Sequence, residues 1–361
     1  MKRICIVVGA RPNFVKVAQL MRAISRRDDV ECQLVFAGSA DDPTLEDTLF
    51  DDLQMPRPHV CLGVVSQSLN EITAQVMATF DAYLAEHATD IVIVVDDLAS
   101  TMAAAIVTKK RGLQLAHLVA GTRSFDIKMP KEINRLVIDA LSDYLFTAGA
   151  KSTGVATREQ QSEQSQTYMV GNILVDTLRF NLPRLRKPDI AAVDLEHTPY
   201  LVLTLNRRAL LADEETLAQM LQTLIESSGG MPIIAPLRDN VLGVVARLLS
   251  RFQFPPSAFL LLRSLPYLEF GWLTAHARAV VTDSGNIAEE ATFNGVPCIT
   301  LNDYAEHQET VTVGTNELVG SDAVKLRTTL LKLVSGEWKS GSLPDRWDGR
   351  TAERIVSILA S

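Results

Sequence analysis

The ten residues Val281-Thr-Asp-Ser-Gly-Asn-Ile-Ala-Glu-Glu290 carry more information than any other stretch of this 361-residue chain. The apolar run that enters them, Ala279-Val-Val281, reads as a buried strand. Thr-Asp-Ser-Gly then opens a helix that carries Glu289 and Glu290 in its first turns. A Ser-Gly corner at a helix start leaves backbone N–H groups at the positive end of the helix dipole, which suits a phosphate. Glu290, one turn in, is placed to accept hydrogen bonds from hydroxyls such as a ribose diol. Phosphate beside a sugar diol describes a nucleotide. The plain alternative is an ordinary strand-to-helix turn capped by Asp283 or Ser284.

Working outward, the same rhythm of short apolar run and helical pattern recurs. Tyr200–Thr204, Pro232–Ala235, Phe259–Leu262 and Cys298–Leu301 accompany Ala279–Thr282 as one series. An earlier series comprises Ile4–Val8, Leu34–Phe36, Ile91–Val95, Leu115–Val119 and Tyr144–Phe146. This alternation predicts an α/β protein with two Rossmann-like domains, residues 1–170 and 171–344. The seam is expected within 165–195, after the polar stretch Arg158–Gln166 and near Pro183 and Pro188. A terminal helical pattern, in the region 345–361, is expected to pack back on the first domain. Ligands of open parallel sheets bind beyond the carboxyl ends of the strands. The loops after Val8, Val95, Val119, Thr204, Ala235 and Thr282 are therefore expected to face a central cleft.

Composition narrows the class. An apolar fraction of 47% with 22% charged residues describes a globular protein with substantial cores. A net charge of −8 argues against broad binding of nucleic acid or anionic membrane. No apolar run approaches the ~20 residues of a membrane span, and no signal peptide is read, so a cytoplasmic location is expected. The four cysteines and six histidines are scattered without metal-ligand spacing, so neither a metal nor a disulfide framework is expected.

At this point the ordered motifs resemble the non-hydrolysing UDP-N-acetylglucosamine 2-epimerases, a family of the two-Rossmann GT-B fold. Gly9-Ala-Arg-Pro-Asn-Phe-Val-Lys16 is similar to the family's Gly-Thr-Arg-Pro-x-x-x-Lys. Val95-Asp-Asp-Leu-Ala-Ser-Thr101 stands where the family has His-Gly-Asp-Thr-Thr-Thr-Thr. His117–Arg123 answers to His-Val-Glu-Ala-Gly-Leu-Arg, Pro130–Arg135 to Pro-Glu-Glu-x-Asn-Arg, and Val170-Gly-Asn172 to an interdomain Gly-Asn. Asn206-Arg-Arg208 answers to His-Arg-Arg, Thr282–Glu290 to Thr-Asp-Ser-Gly-Gly-Ile-Gln-Glu-Glu, and Glu306–Glu309 to Glu-Arg-Pro-Glu. The resemblance implies that Arg11, Lys16, Ser284, Gly285 and Glu290 hold UDP, with Arg207 as a further phosphate or sugar contact. It implies a UDP-sugar as substrate or ligand with no separate cofactor, a homodimer, and a place among enzymes that feed cell-surface polysaccharides or specialised glycosides.

The sugar side departs from the pattern. The family's C2 epimerisation eliminates UDP to a 2-acetamidoglucal and adds it back with the C2 proton delivered to the other face, using an Asp, two Glu and a His. The Asp matches Asp97. The other three positions hold Val119, Lys131 and Asn206, of which none offers the same proton chemistry. Glu132, beside the altered Lys131, is a substitute candidate, although adjacent helical positions diverge by roughly 100°. Asp96 with Asp97 could form a carboxylate pair, or one could cap a helix beside an exposed neighbour. Asp126 lies in the same loops. His117, within a strand run, reads as a satisfied core histidine more readily than as a base. The segment from Arg123 to Pro130 is two residues shorter than in the family, and the His of the family's Pro-Val-His-x-Asn-Pro loop falls near Pro236. The loop that helps bind a regulatory sugar nucleotide in many members is replaced by Gly38-Ser-Ala-Asp-Asp-Pro43. Three readings stay open: an isomerase with an altered acid/base set (Asp97, Lys131, Glu132 and Asn206 being its candidates), a glycosyltransferase or other UDP-sugar enzyme, and a non-catalytic UDP-sugar-binding protein.

Overall fold

The computed structural model describes residues 1–160 and 163–360. Gln161 and Ser162 of the polar stretch Arg158–Gln166, and Ser361 at the end of the expected terminal helix, lie outside the described residues. The chain divides into two compact units, Met1–Phe180 with Asp345–Ser361, and Asn181–Pro344.

Unit 1 holds strands β1 (Lys2–Val8), β2 (Val30–Phe36), β3 (Val60–Cys61), β4 (Ile91–Val95), β5 (Gln114–Leu118), β6 (Tyr144–Thr147) and β7 (Gln166–Met169). They form one parallel sheet of order β3-β2-β1-β4-β5-β6-β7. Its helices are α1 (Arg11–Ile24), α2 (Asp47–Leu53), α3 (Leu69–Glu86), α4 (Ala99–Lys110), α5 (Pro130–Leu141), α6 (Ala150–Arg158) and α7 (Ile173–Asn181). Unit 2 holds β8 (Leu201–Thr204), β9 (Ile233–Leu237), β10 (Phe259–Arg263), β11 (Ala279–Thr282), β12 (Cys298–Thr300) and β13 (Asn316–Leu318), parallel and ordered β10-β9-β8-β11-β12-β13. Its helices are α8 (Arg208–Ala212), α9 (Glu214–Ser227), α10 (Asp239–Leu249), α11 (Tyr267–Ala275), α12 (Gly285–Asn294), α13 (Glu309–Thr312) and α14 (Ala323–Ser335). The last helix, α15 (Thr351–Ala360), belongs to unit 1, where it packs on α1.

The central strands read as uninterrupted β-branched and aliphatic runs because helices cover both faces of a parallel sheet. All five residues of β4 and all four of β8 and of β11 are buried. In both sheets the strand order steps outward and then reverses: at β1/β4 in unit 1, and at β8/β11 in unit 2. That reversal sends the connections from neighbouring strands to opposite faces of the sheet and opens a crevice at the strand ends. The α/β architecture with two Rossmann-like sheets is thus the one expected.

The return of α15 has identifiable fastenings. Trp347, 1% exposed, donates its indole N–H to Ala148 O at 3.1 Å. Gly171, at φ 101, lies so close to the returning chain that a Cβ would stand 2.1 Å from Arg346 O. Asp176 on α7 accepts from the Thr351 and Ala352 N–H groups at 3.1 and 2.7 Å, capping α15 from another element. Among the described residues, no helix is long and apolar enough to cross a membrane.

Candidate functional site

The corner between β11 and α12 is built first from threonines and an aspartate. Thr204 Oγ1 and Thr282 Oγ1 lie 2.6 Å apart and tie the ends of β8 and β11 together. Buried Asp283 accepts from the backbone N–H groups of Asn206, at 2.8 Å, and Arg207, at 2.7 Å. Burial raises its carboxyl, and those same two hydrogen bonds oppose the rise. Asn302 donates to Asp283 O at 2.9 Å and accepts from the Arg207 guanidinium at 3.2 Å, so Arg207 is held beside the corner. Asn206 itself is exposed.

With Asp283 engaged by the neighbouring loop, the ordinary capping alternative does not describe this turn. Ser284 is the N-cap residue of α12, yet its hydroxyl makes no capping bond. The first intrahelical donor is Ala288, whose N–H reaches Ser284 O at 3.3 Å, so the N–H groups of Gly285, Asn286 and Ile287 precede the ladder. A Cβ at Gly285 would come within 2.9 Å of Glu306 Oε2. Glu289 is buried with its carboxylate 3.7 Å from His307 Nε2. Glu290 is half-buried, and burial, with Glu289 alongside, pushes its carboxyl up to about 8. An open helix N-terminus, a free-standing hydroxyl, an arginine and a carboxyl one turn in can together hold a phosphate and a diol.

The strand ends of unit 1 form a second cluster. Pro12 sits in the first turn of α1, and Gly9 before it is required by contact, since a Cβ would stand 2.2 Å from Ser100 Oγ. Arg11 pairs with Glu46 at 3.2 Å. Lys16, one turn on, is not a solvated helix residue: it is buried and its ammonium meets Asp96 Oδ1 at 2.6 Å. The other oxygen of Asp96 accepts from Asn13 Nδ2 at 2.8 Å.

Asp97 is held by different cations. Arg135 reaches its Oδ2 at 2.6 Å and Lys131 lies 3.4 Å from its Oδ1, with the Lys131 side chain 53% exposed. Asp96 and Asp97 therefore face separate cations rather than each other, and the carboxylate pair considered from the sequence does not form. Helix α5 carries this cluster on an unusual face. Glu132, Asn134, Arg135 and Asp139 point inward, while Ile133 and Leu136 are exposed.

Glu132, the substitute base suggested by the sequence, is committed elsewhere. Its Oε2 accepts from Ser124 N at 2.8 Å and Ser124 Oγ at 2.9 Å, and its Oε1 from Phe125 N at 3.1 Å. Burial works to raise its carboxyl, but these bonds and Arg135 bring it below the usual range. It secures the 124–125 turn. His117 is likewise fixed, with Nδ1 2.5 Å from Asp139 Oδ1 and Nε2 2.9 Å from Asp96 O. Asp139 also receives Arg123 at 2.7 Å and Gly121 N at 3.0 Å. Asp126 accepts from Lys128 N at 3.0 Å within its own loop. Val119 stands outside β5 at φ 76, half-buried. Pro236 lies within β9, not in a loop.

Sequence reasoning found the loops but missed the partners. The pairing of Lys16 with Asp96 depends on a contact between elements far apart in sequence, and the role of Glu132 on how the loop just before its helix folds back onto it. One local signal was present: Asp-Asp after a strand places a residue that tolerates the left-handed region where β4 ends, and Asp96 takes φ 57 there.

Residues 22–360 match the family model described as UDP-N-acetylglucosamine 2-epimerase. A protein of Methanococcus maripaludis named UDP-N-acetylglucosamine 2-epimerase homolog is 31% identical over 363 residues, covering 99% of both chains. The UDP-2,3-diacetamido-2,3-dideoxy-D-glucuronate 2-epimerase of Pseudomonas aeruginosa is 29% identical over 371 residues, again covering 99% of each. Among solved structures, Methanocaldococcus jannaschii UDP-GlcNAc 2-epimerase in complex with UDP-GlcNAc and UDP has a TM-score of 0.86, at 29% identity and 99% coverage of both chains.

Proposed function

This chain belongs to the UDP-N-acetylglucosamine 2-epimerase family, and we propose that it takes a UDP-N-acetylhexosamine and acts at C2 of the sugar with an acid/base set unlike the family's. The observation that carries the reading is the β11–α12 corner. Its N–H groups, the uncommitted Ser284 hydroxyl and Arg207 suit a diphosphate, and Glu290 suits a ribose diol. The relatives' names and the UDP-GlcNAc and UDP in the M. jannaschii structure support that ligand class.

Epimerisation through an unsaturated intermediate breaks the C2–H and C1–O bonds. The proton passes to a base and UDP leaves with the bonding pair; re-addition returns a proton to the other face of C2. The positions that the resemblance assigns to this work hold Val119, Lys131 and Asn206. Valine cannot take a proton and an asparagine amide is no base. Lys131, close to Asp97, is suited to stabilising a departing diphosphate. That half-exposed ammonium is also what a sugar-transfer reaction would use, and it favours transfer as the second reading.

Incubation with UDP-GlcNAc in D2O, followed by NMR, separates them. Deuterium at C2 with appearance of the C2 epimer is the expected result. Saturable UDP binding without any exchange would refute isomerisation, and UDP release only on adding an acceptor would assign transfer.

A further inference from the structure

Each of the cations named at the unit 1 strand ends already has a carboxylate: Arg11 has Glu46, Lys16 has Asp96, and Lys131 and Arg135 share Asp97. The Lys16–Asp96 pair stands out, because Lys16 is a residue that the resemblance gives to the diphosphate. Resting on the proposed function, we propose that Asp96 is a specificity-determining residue that lowers affinity for ligand phosphate, by standing as an internal anion on the Lys16 ammonium.

The geometry supplies three reasons. Asp96 is the more exposed member of the pair, its side chain 15% exposed against 5% for Lys16, so the ammonium reaches solvent less than the carboxylate that neutralises it. Both carboxylate oxygens are engaged, Oδ1 by Lys16 at 2.6 Å and Oδ2 by Asn13 Nδ2 at 2.8 Å, while Asn13 Oδ1 accepts from Gly9 N at 3.0 Å. The carboxylate is thereby tied to the loop that follows β1. Its backbone is fixed as well, at φ 57, with Asp96 N donating to Leu118 O at 3.2 Å and Asp96 O accepting from His117 Nε2 at 2.9 Å. A side chain clamped in this way does not swing aside at low cost. A phosphate must then displace a charge-assisted bond before it gains one, and the exchange nets little.

The test is titration of the full chain with UDP and with uridine. Asp96→Asn keeps one acceptor oxygen, enough for Lys16 or Asn13 but not both, tolerates positive φ, and removes the charge. It is expected to tighten UDP about tenfold or more while uridine is unchanged. Adding Lys16→Met to Asp96→Asn is expected to cancel the gain, and raising salt to shrink it. Asp96→Gly, which also suits φ 57, repeats the test in a second background should the asparagine variant not fold. UDP affinity that is unchanged or weaker in folded Asp96→Asn overturns the inference, as does an equal gain for uridine. If UDP binding is lost in Ser284→Ala yet indifferent to Asp96→Asn, this inference falls and the proposed function stands. If no form binds UDP, both fall.

Discussion

Val119 leaves β5 at φ 76, a region that a β-branched side chain enters only at a cost of about 1–3 kcal/mol. Hydrogen bonds from Val119 N and Ala120 N to Phe146 O, at 3.2 and 2.9 Å, hold the chain there. Val119→Gly relieves the strain, and the extra freedom of glycine in the unfolded chain takes back roughly 0.5–1 kcal/mol. The variant should gain up to about 1 kcal/mol, seen as a higher urea midpoint at unchanged slope, and a lower midpoint would contradict the strain argument. Glu290 presents a second local cost. Its carboxyl rises from an ordinary 4.5 to about 8, so between those values the folded state binds more protons than the unfolded one. Stability contributed by this group is therefore greatest below pH 4.5 and declines as pH climbs toward 8. Glu290→Gln should match the parent's Tm near pH 4.5 and exceed it increasingly up to pH 8.5; a Tm difference that is flat with pH would refute the assignment.

At the level of elements, what the sequence made legible was set by length and by how far each element depends on distant partners. Long buried runs such as β1 and β4 were plain. β3 has two residues and β13 three, too short for a periodic signal, while β7 (Gln-Thr-Tyr-Met) is a polar edge strand lying in a stretch that read as linker. Helix α5 turns its charged side inward because Arg135, Glu132 and Asp139 find partners on the loops after β4 and β5. Local pattern cannot report that. The docking of α15 is similarly non-local, and its cap comes from Asp176, 175 positions away from Thr351. Burial raises the Asp176 carboxyl to about 6 against the pull of the Ala352 and Thr351 N–H groups. Asp176→Ala should cost about 1–2 kcal/mol and speed amide exchange throughout α15 by about tenfold, while the strands of unit 2 keep their protection. Undiminished protection of α15 would show that Trp347 and the α1 contact suffice.

For the molecule as a whole, repetition was the readable feature. Two series of strands, each stepping out and reversing, place candidate residues at both reversals: Arg11, Lys16, Asp96 and Asp97 after β1 and β4, and Asn206, Arg207, Ser284 and Glu290 after β8 and β11. The β11–α12 corner was legible because what forms it is local, a helix end and the residues that flank it. The cluster at the unit 1 strand ends was legible only as departures from a motif, since its arrangement lies in which cation meets which carboxylate. The account rests on the β11–α12 corner holding UDP, and calorimetric titration of the full chain with UDP tests that most directly. Saturable binding that weakens about tenfold or more in Ser284→Ala and in Glu290→Ala is the predicted result. Absence of binding at millimolar UDP, or an affinity indifferent to both substitutions, would contradict it.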